Sequence, residues 1–332
     1  MRKNASNLPA SPCRKKAAGT QGKKKNKKAF RKLEAREKRT IVANPIRTQK
    51  IDMDTFSAGE DSSGSAFMDD FRRKYFRHGN THSAVLPHKI AADSHSGFIR
   101  SSNEDSYAYY VNQENGQTLM AVADGIGGHE NGDIASYLTM KMLISSWREF
   151  QCRGELESEA VREFLRNELE EINSAIYQIN AEYNVAYPMG TTIAAAAVLQ
   201  DSIVTAHAGD SRVYRLREKK LKRLTEDHSF VAELIRSGAI TEEDALTHPY
   251  AHVISKSIGP VPALEPEINV YDYQTGDKVL VCTDGLMLHL SDDEIRSILI
   301  TASNPAAAAK KMLNTTLRKG GGDNVTIVCL SD

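Results

Sequence analysis

Two short apolar runs, each ending in an Asp-Gly pair, place the strongest constraint on how this chain folds. Residues 119–123 lead into Asp124-Gly125, and residues 279–283 lead into Asp284-Gly285. Runs of this length and composition predict buried strands. A carboxylate at a strand end points out of the sheet edge, and the glycine beside it lets the backbone approach a bound group closely. One pair alone fits an ordinary turn, but two together suggest one hard-cation site.

The distribution of charge divides the chain into a basic extension and an acidic globule. Residues 1–50 contain 17 Lys and Arg against two acids, whereas the remainder contains 26 basic and 41 acidic residues. Because residues 1–85 have little apolar periodicity, we predict a mostly disordered extension there and one globular domain over residues 86–332. The extension fits a solubilising tail, a targeting segment, or an electrostatic contact with nucleic acid, anionic lipid or an acidic partner.

Cysteine usage and hydropathy predict a cytoplasmic protein. The four cysteines are scattered without a C-x-x-C pair, which argues against a disulfide framework and against a zinc site. No apolar run approaches the roughly 18 residues of a membrane span, and the N-terminus lacks the apolar core of a secretory signal.

Strands and grouped helices predict an antiparallel α+β layered fold. Apolar residues at three-and-four spacing from Val161 to Ile179 predict a long helix with one face in the core. Further helices are predicted over 134–150, 291–301 and 305–317, and strands over 107–111, 190–199, 203–206 and 325–330. Residues 224–259 read as an insertion with two short helices, either a flap beside a site or a plain surface excursion.

Five aspartates border apolar strands at glycines or short polar turns. Their convergence would require cations to neutralise them, and oxygen-only ligands favour magnesium or manganese. Arg100 suits a phosphate, and the two acids that follow it, Glu104 and Asp105, can reach a cation. Such a cluster also fits a surface loop with salt bridges. The residues alone therefore predict a metal-assisted phosphoester hydrolase. The five are Asp105, Asp124, Asp210, Asp284 and Asp323.

Six ordered motifs make residues 90–332 resemble the metal-dependent protein phosphatases of type 2C, the PPM family, and specifically its bacterial branch. The resemblance implies a four-layer α-β-β-α sandwich with two central antiparallel sheets flanked by helices. It also implies a phosphatase acting on phosphoserine and phosphothreonine proteins. The motifs are Arg100-x-x-Asn-Glu-Asp105, Ala-Asp124-Gly-x-Gly-Gly-His129, Gly190-Thr-Thr192, Ala-Gly-Asp210-Ser-Arg212, Thr-Asp284-Gly285 and Asp323-Asn324.

The same resemblance implies two Mn²⁺ or Mg²⁺ ions, with a possible weaker third, and a metal-bridging hydroxide that attacks phosphorus directly without a phosphoenzyme. Arg100 would hold the phosphate oxygens. The family's ligand roles fall on Asp124 and the Gly125 carbonyl, on Asp105 with Glu104 acting through water, on Asp284 and Asp323, and, for the third ion, on Asp210.

Two departures from the family pattern leave the proton donor and the substrate preference open. Ile126 replaces a histidine that some relatives carry after Asp-Gly, and His129 is a candidate for the missing donor, although a structural role fits it better. In the insertion, Ala251 and Lys256 stand where bacterial relatives often have arginines. Other histidines, including His207, His228 and His252, lack metal-like spacing and are predicted to be loop or core residues.

Two alternatives of other classes accompany the enzyme prediction. The first is a non-catalytic scaffold of the same fold that binds phosphoproteins, and the second is a nucleic-acid tether in which the extension acts and the globule is a passenger. The family resemblance favours dephosphorylation in signal transduction, opposite a serine/threonine kinase.

Overall fold

The computed structural model describes residues 90–112, 115–126, 131–152, 154, 156–182 and 187–331. The predicted basic extension and His129 lie outside these residues. The strands are β1 (Ile90–His95), β2 (Ser106–Val111), β3 (Thr118–Ala123), β4 (Gly125–Ile126), β5 (Gly190–Thr191), β6 (Ile193–Val198), β7 (Ser202–Ala208), β8 (Arg212–Arg217), β9 (Lys220–Arg223), β10 (Glu267–Asp272), β11 (Lys278–Cys282) and β12 (Val325–Ser331). The helices are α1 (Gly132–Gln151), α2 (Ser158–Glu182), α3 (Phe230–Arg236), α4 (Glu242–Leu246), α5 (Asp284–Met287), α6 (Asp292–Thr301) and α7 (Pro305–Arg318).

Two five-stranded antiparallel sheets form the centre of the fold. The first has the order β1-β12-β11-β8-β9 and the second has the order β10-β7-β6-β3-β2. Helices α1 and α2 pack on the second sheet, and α5, α6 and α7 pack with the first. The predicted α+β sandwich is therefore confirmed.

Strand β3 shows why the apolar runs fold as central strands. Leu119, Ala121 and Ala123 pack with the helices on one face, whereas Met120 and Val122 pack against the other sheet. Because successive side chains alternate between faces and both faces are covered, a continuous apolar run is required. The consequence is that Asp124 lies at the rim of the layer between the two sheets.

The predicted apolar stripe of helix α2 lies in the core, with Val161, Leu165, Leu169, Ile172 and Ile176 fully buried. Helices α4 and α6 begin at capping boxes, in which a hydroxyl side chain and a carboxylate three residues later satisfy exposed backbone N–H groups. Across the described ranges, no helix combines the length and the apolarity that a membrane crossing needs.

Local boundaries differ from the predictions at two points that shape the site. Asp284 begins the short helix α5, with Thr283 as its N-cap, and does not end a strand. The predicted strand over 190–199 is broken at Thr192 into β5 and β6. Strands β9 and β10 were not predicted, because each is an edge strand with polar outward-facing residues and therefore lacks an apolar run.

Candidate metal centre

Asp124 directly follows β3, and its backbone is held by two threonines. The Asp124 N–H donates to Thr192 Oγ1 (3.0 Å), and the Asp124 carbonyl accepts from the Thr191 hydroxyl (2.7 Å) and the Thr192 N–H (2.8 Å). The short pair of β4 and β5 continues this contact through Gly125 and Thr191. The Gly190-Thr-Thr192 motif thus fixes the direction in which the Asp124 carboxylate leaves the sheet.

Gly125 allows three backbone segments to meet beside Asp124. A Cβ on Gly125 would lie 2.3 Å from the Gly132 carbonyl oxygen and 2.8 Å from that of Glu104. A Cβ on Gly132 would in turn lie 2.4 Å from a Glu104 carboxylate oxygen and 3.0 Å from the Gly125 carbonyl oxygen. Only glycine fits such close approaches. The structure therefore brings the Glu104 carboxylate and the Gly125 carbonyl together, as a shared ligand position requires.

Asp105 is oriented from the opposite sheet. The Thr283 hydroxyl donates to Asp105 Oδ2 (2.8 Å), and the Thr326 N–H donates to Thr283 Oγ1 (2.9 Å). Asn324 ties the same region together, since its Oδ1 accepts from the Glu104 N–H (2.8 Å). These contacts place the residues that lead into β2 against the start of α5 and the start of β12.

Asp210 occupies the turn between β7 and β8. The preceding Gly209 has a φ of +117°, and a Cβ there would lie 2.6 Å from the Thr192 side chain. The Thr192 and Ser211 hydroxyls are hydrogen-bonded at 2.8 Å. Thr192 therefore contacts the backbone of Asp124 and the turn that carries Asp210, which links two of the predicted ligands.

Burial and mutual repulsion dominate the electrostatics of these carboxyls. Burial raises the pKa of Asp105 to about 7, against the hydrogen bond from Thr283. Burial, followed by the charges of Asp105, Asp284 and Asp210, raises the pKa of Asp124 well above its usual range. Burial and Asp284 raise the pKa of Asp210 to about 7. Carboxyls whose pKa is raised in this way by burial and by neighbouring carboxylates lie close together. The charges of His252 and Arg100 lower the pKa of Asp284, but burial and Asp323 outweigh them.

Buried oxygens without hydrogen-bond partners show that the cluster suits a cation. Within the described part of the chain, one Oδ1 atom each of Asp105, Asp210 and Asp284 is buried without a hydrogen-bond partner. Buried acceptors normally have partners, so three such atoms in one cluster point to a ligand that accepts oxygen donors. Oxygen-only donors suit Mg²⁺ or Mn²⁺, and the residues present therefore fit these ions.

Arg100 lies at the exposed edge of the cluster and is paired with Asp323. Its Nε and Nη2 contact the two Asp323 carboxylate oxygens, each at 2.8 Å, and 57% of its side chain is exposed. The hydrogen bond to Asp323 raises the pKa of Arg100, and the charges of Asp124 and Glu104 act in the same direction. The structure thus brings the predicted phosphate-binding arginine to the predicted ligands.

Comparisons with known proteins agree with this geometry. The family described as protein phosphatase 2C matches residues 99–319. The chain belongs to this family. It is 36% identical over 232 residues to the serine/threonine phosphatase stp of Listeria monocytogenes, which covers 70% of this chain and 91% of that protein.

Solved phosphatase structures share the fold. The serine/threonine phosphatase of S. agalactiae is 35% identical, with a TM-score of 0.68 over 73% of this chain and 98% of that one. The catalytic domain of PstP, in complex with two manganese ions, is 32% identical, with a TM-score of 0.60 over 73% of this chain and 98% of that one. The prediction of a metal-dependent serine/threonine phosphatase of bacterial PPM type is therefore confirmed over the scaffold alternative.

The sequence reasoning on this phosphatase missed the positioning roles of several polar residues. Thr192, Thr283 and Asn324 stood in the recognised motifs without a role, and Thr283 was also read as part of a strand. Their contacts span 68, 220 and 178 residues, respectively, so no local pattern could have revealed them. The insertion also reaches the centre, because the charge of His252 lowers the pKa of Asp284 against the dominant raising effect of burial and Asp323.

A second polar group, here called the paired cluster, lies behind the Asp210 turn and consists of His207, His228, Glu267, Arg212 and Asp227. The ligand atoms of His207, His228 and Glu267 lie within 4.8 Å of one another, a proximity that their sequence spacing did not predict. The two imidazole rings are stacked in parallel, with centroids 4.5 Å apart.

Hydrogen bonds occupy most ring nitrogens of the paired cluster. His207 Nε2 bonds the Glu226 carbonyl (2.7 Å), His228 Nδ1 accepts from the Gly209 N–H (3.3 Å), and His228 Nε2 bonds Glu267 (3.2 Å). Burial and the neighbouring His207 lower the pKa of His228 to about 4. We therefore interpret the histidines as a neutral support for the turn that carries Asp210.

Proposed function

We propose that this phosphatase hydrolyses phosphoserine and phosphothreonine side chains of proteins with two Mn²⁺ or Mg²⁺ ions and a weaker third. The observation that carries the proposal is the convergence of four aspartates beside one exposed arginine. Three of the four, Asp105, Asp210 and Asp284, each have one buried oxygen without a hydrogen-bond partner. A buried cluster of this charge is costly without cations, and the arginine supplies a planar fork for phosphate.

The residues divide into groups that would hold separate ions. Asp124 would help to hold two of the ions, since the charges of Asp105, Asp284 and Asp210 all act on it. The Gly125 carbonyl and Asp105, with Glu104 through water, would support the first ion. Asp284 and Asp323 would hold the second, and Asp210 with Asp284 the third. When bound, such cations lower the pKa of coordinated water and offset charge on the phosphoryl group during an in-line displacement, so no phosphoenzyme is needed.

Arg100 would bind and orient the phosphate. Its contact with Asp323 uses Nε and Nη2, which leaves the donors on Nη1 for a phosphate oxygen. The salt bridge holds the guanidinium at the edge of the centre, and its exposed position lets a substrate on a protein surface reach it. Charge-assisted hydrogen bonds of this kind typically contribute about 1.5–3 kcal/mol.

Hydrolysis of a phosphoserine peptide by the purified full chain, titrated with Mn²⁺ and Mg²⁺, tests the proposal. Asp124→Asn should abolish metal-dependent hydrolysis, whereas Arg100→Ala should raise KM about tenfold with a smaller change in kcat. Asp293→Asn and Arg296→Ala, an exposed pair on α6, serve as matched controls. Activity that persists in Asp124→Asn without added metal would refute the mechanism, and an unchanged KM in Arg100→Ala would remove its phosphate role.

We further propose a cytoplasmic signalling role opposite a serine/threonine kinase. The free thiols of Cys152, Cys282 and Cys329 support a reducing compartment. For residues 1–85 we propose an electrostatic contact with nucleic acid, anionic lipid or an acidic partner, because of their excess of Lys and Arg. Salt-dependent binding of the full chain and of a variant beginning at residue 86 tests this contact. Equal binding by both would exclude the extension from it.

A further inference from the structure

Two large apolar side chains directly precede Arg100 and are held out into solvent. Phe98 is 66% exposed and Ile99 is 75% exposed. Their loop is anchored, because the Phe98 N–H donates to the Gly321 carbonyl (2.8 Å). The pair is thus presented at a fixed position beside the phosphate-binding arginine, and not on a free loop tip.

A groove continues from Phe98 along helix α7. It has a volume of about 320 Å³ and is lined by Phe98, Asn314, Leu317 and Arg318. Phe98 and Leu317 supply apolar walls, whereas Arg318 supplies a cation at the rim. We name Phe98, Ile99 and this groove the flank surface. Scattered exposed apolar residues are common on proteins, but here Phe98 lines a groove, and both Phe98 and Ile99 directly precede a predicted phosphate ligand.

The charge of the flank surface indicates what binds there. Helix α7 contains Lys310, Lys311 and Arg318 and no Asp or Glu. A segment that lies along this helix therefore faces three cations and no acidic side chain of the helix itself. An anionic polypeptide with an apolar side chain complements the surface better than a basic or wholly polar one.

We propose that the flank surface binds the polypeptide that flanks the phosphorylated residue of the substrate, and that it selects an apolar side chain beside acidic residues. This inference rests on the proposed function, because Arg100 must hold the phosphate. Phe98 lies two residues from Arg100, a separation of at most about 7 Å between Cα atoms. An extended peptide advances about 3.3 Å per residue, so the apolar side chain is expected two to four positions from the phosphorylated one.

The experiment compares a small substrate with phosphopeptides on the Mn²⁺-loaded full chain. The substrates are 4-nitrophenyl phosphate and acidic phosphoserine peptides that carry either Leu or Ser at positions two to four on each side. Wild type should prefer one Leu peptide. Phe98→Ser combined with Ile99→Ser should lower kcat/KM for that peptide about tenfold through KM, and leave aryl phosphate hydrolysis within twofold. Val270→Ser, exposed on β10, is the matched control.

A charge-reversal arm tests the cationic rim. Arg318→Glu should lower kcat/KM for the acidic Leu peptide more than for a neutral one. Equal losses on both peptides would exclude electrostatic selection at this rim and overturn that part of the proposal.

Three outcomes would overturn the apolar selection. One is an equal loss of peptide and aryl phosphate hydrolysis in the double variant, and another is an unchanged preference for Leu. The third is a wild type that is a dimer and a double variant that is a monomer with an unchanged peptide KM. This result would make the surface a contact between copies of the chain. Absence of metal-dependent aryl phosphatase activity in wild type would refute the proposed function itself, so the two failures are distinguishable.

Discussion

The aspartate centre, formed by Asp105, Asp124, Asp210, Asp284 and Asp323, and the paired cluster adjoin the same turn but satisfy their polar groups in different ways. In the paired cluster, Arg212 Nε and Nη2 contact the two Asp227 carboxylate oxygens at 2.8 and 2.5 Å. Burial is the largest single influence and would lower the pKa of Arg212, but the hydrogen bond and charge of Asp227 and the interactions with Tyr214 together raise that pKa. In the aspartate centre, Asp323 is paired with Arg100, but one buried oxygen each of Asp105, Asp210 and Asp284 has no hydrogen-bond partner.

The difference shows how function can be separated from stability among buried charges. A buried charge with a protein partner is balanced within the fold, so its removal is expected to cost stability. A buried charge without a partner carries a cost in the fold and is explained by a ligand. The turn at Gly209 links the two groups, because the Gly209 N–H donates to His228 of the paired cluster and the next residue, Asp210, belongs to the aspartate centre.

The largest effect is expected when a carboxylate of the aspartate centre is removed. Asp284→Asn removes a carboxylate that has one buried oxygen without a partner. It should lower metal-dependent kcat/KM about a thousandfold, or roughly 4 kcal/mol in the barrier. Its unfolding free energy in EDTA at pH 8 should not fall, because repulsion from Asp323 and the burial cost decrease. Kinetics and urea denaturation measure both quantities.

Asp293→Asn, exposed on α6, is the control for Asp284→Asn and should change neither quantity. Stabilisation by Mn²⁺ should be present in wild type and weakened in Asp284→Asn. A metal-free Asp284→Asn protein that is less stable than wild type by several kcal/mol would show that Asp284 is a structural residue.

The candidate ligands could be named from the sequence, whereas the residues that position them could not. Each predicted aspartate borders an apolar run at a glycine or a short turn, a local signal that any reader of the sequence can find. The supports are long-range: Thr192 lies 68 residues from Asp124, and Asn324 lies 220 residues from Glu104. Convergence depends on the order of strands in two sheets, which short-range periodicity does not determine.

The contacts within the paired cluster also could not be predicted from the sequence. His207 and Glu267 are direct neighbours on β7 and β10, but β10 was not predicted because its outer face is polar. The histidines were therefore predicted only to be loop or core residues. Arg212 belonged to a recognised motif, but its partner Asp227 carries no signal of its own in the sequence. Pairing of this kind becomes visible only when the edge strands are in place.

A smaller effect, on the free energy of unfolding, is expected when the ion pair of Arg212 and Asp227 in the paired cluster is removed. Asp227→Asn leaves the largely buried Arg212 without its carboxylate, and it should lower the unfolding free energy by about 3 kcal/mol. Catalysis per folded molecule should stay within about tenfold, because Asp227 lies behind Asp210 and away from the substrate. Urea denaturation and active-site-normalised kinetics separate the two. Unchanged stability with a thousandfold loss of activity would reverse the assignment of the two clusters.

The smallest effect is a difference in the sign of the pH dependence between the two clusters. The ordinary pKa of Asp is 3.8, and burial raises that of Asp105 and Asp210 to about 7. Without metal, their contribution to stability is therefore fully present below pH 4 and is lost as pH rises towards 7. The ordinary pKa of His is 6.5, and that of His228 is about 4. The unfolded chain binds that proton first, so the contribution of His228 is lost as pH falls from 6.5 to 4.

Comparing the metal-free wild type with His228→Gln isolates the histidine contribution, because the aspartate contribution is common to both proteins. The stability advantage of wild type over His228→Gln should be about 2 kcal/mol smaller at pH 5 than at pH 7. His248→Gln, at a half-buried position in the insertion, is the control for the loss of an imidazole outside the paired cluster. Asp210→Asn should instead flatten the loss of stability between pH 5 and pH 7. If His228→Gln and wild type differ by a constant amount across this range, His228 is not held neutral by the paired cluster, and its support of the Asp210 turn does not depend on its protonation state.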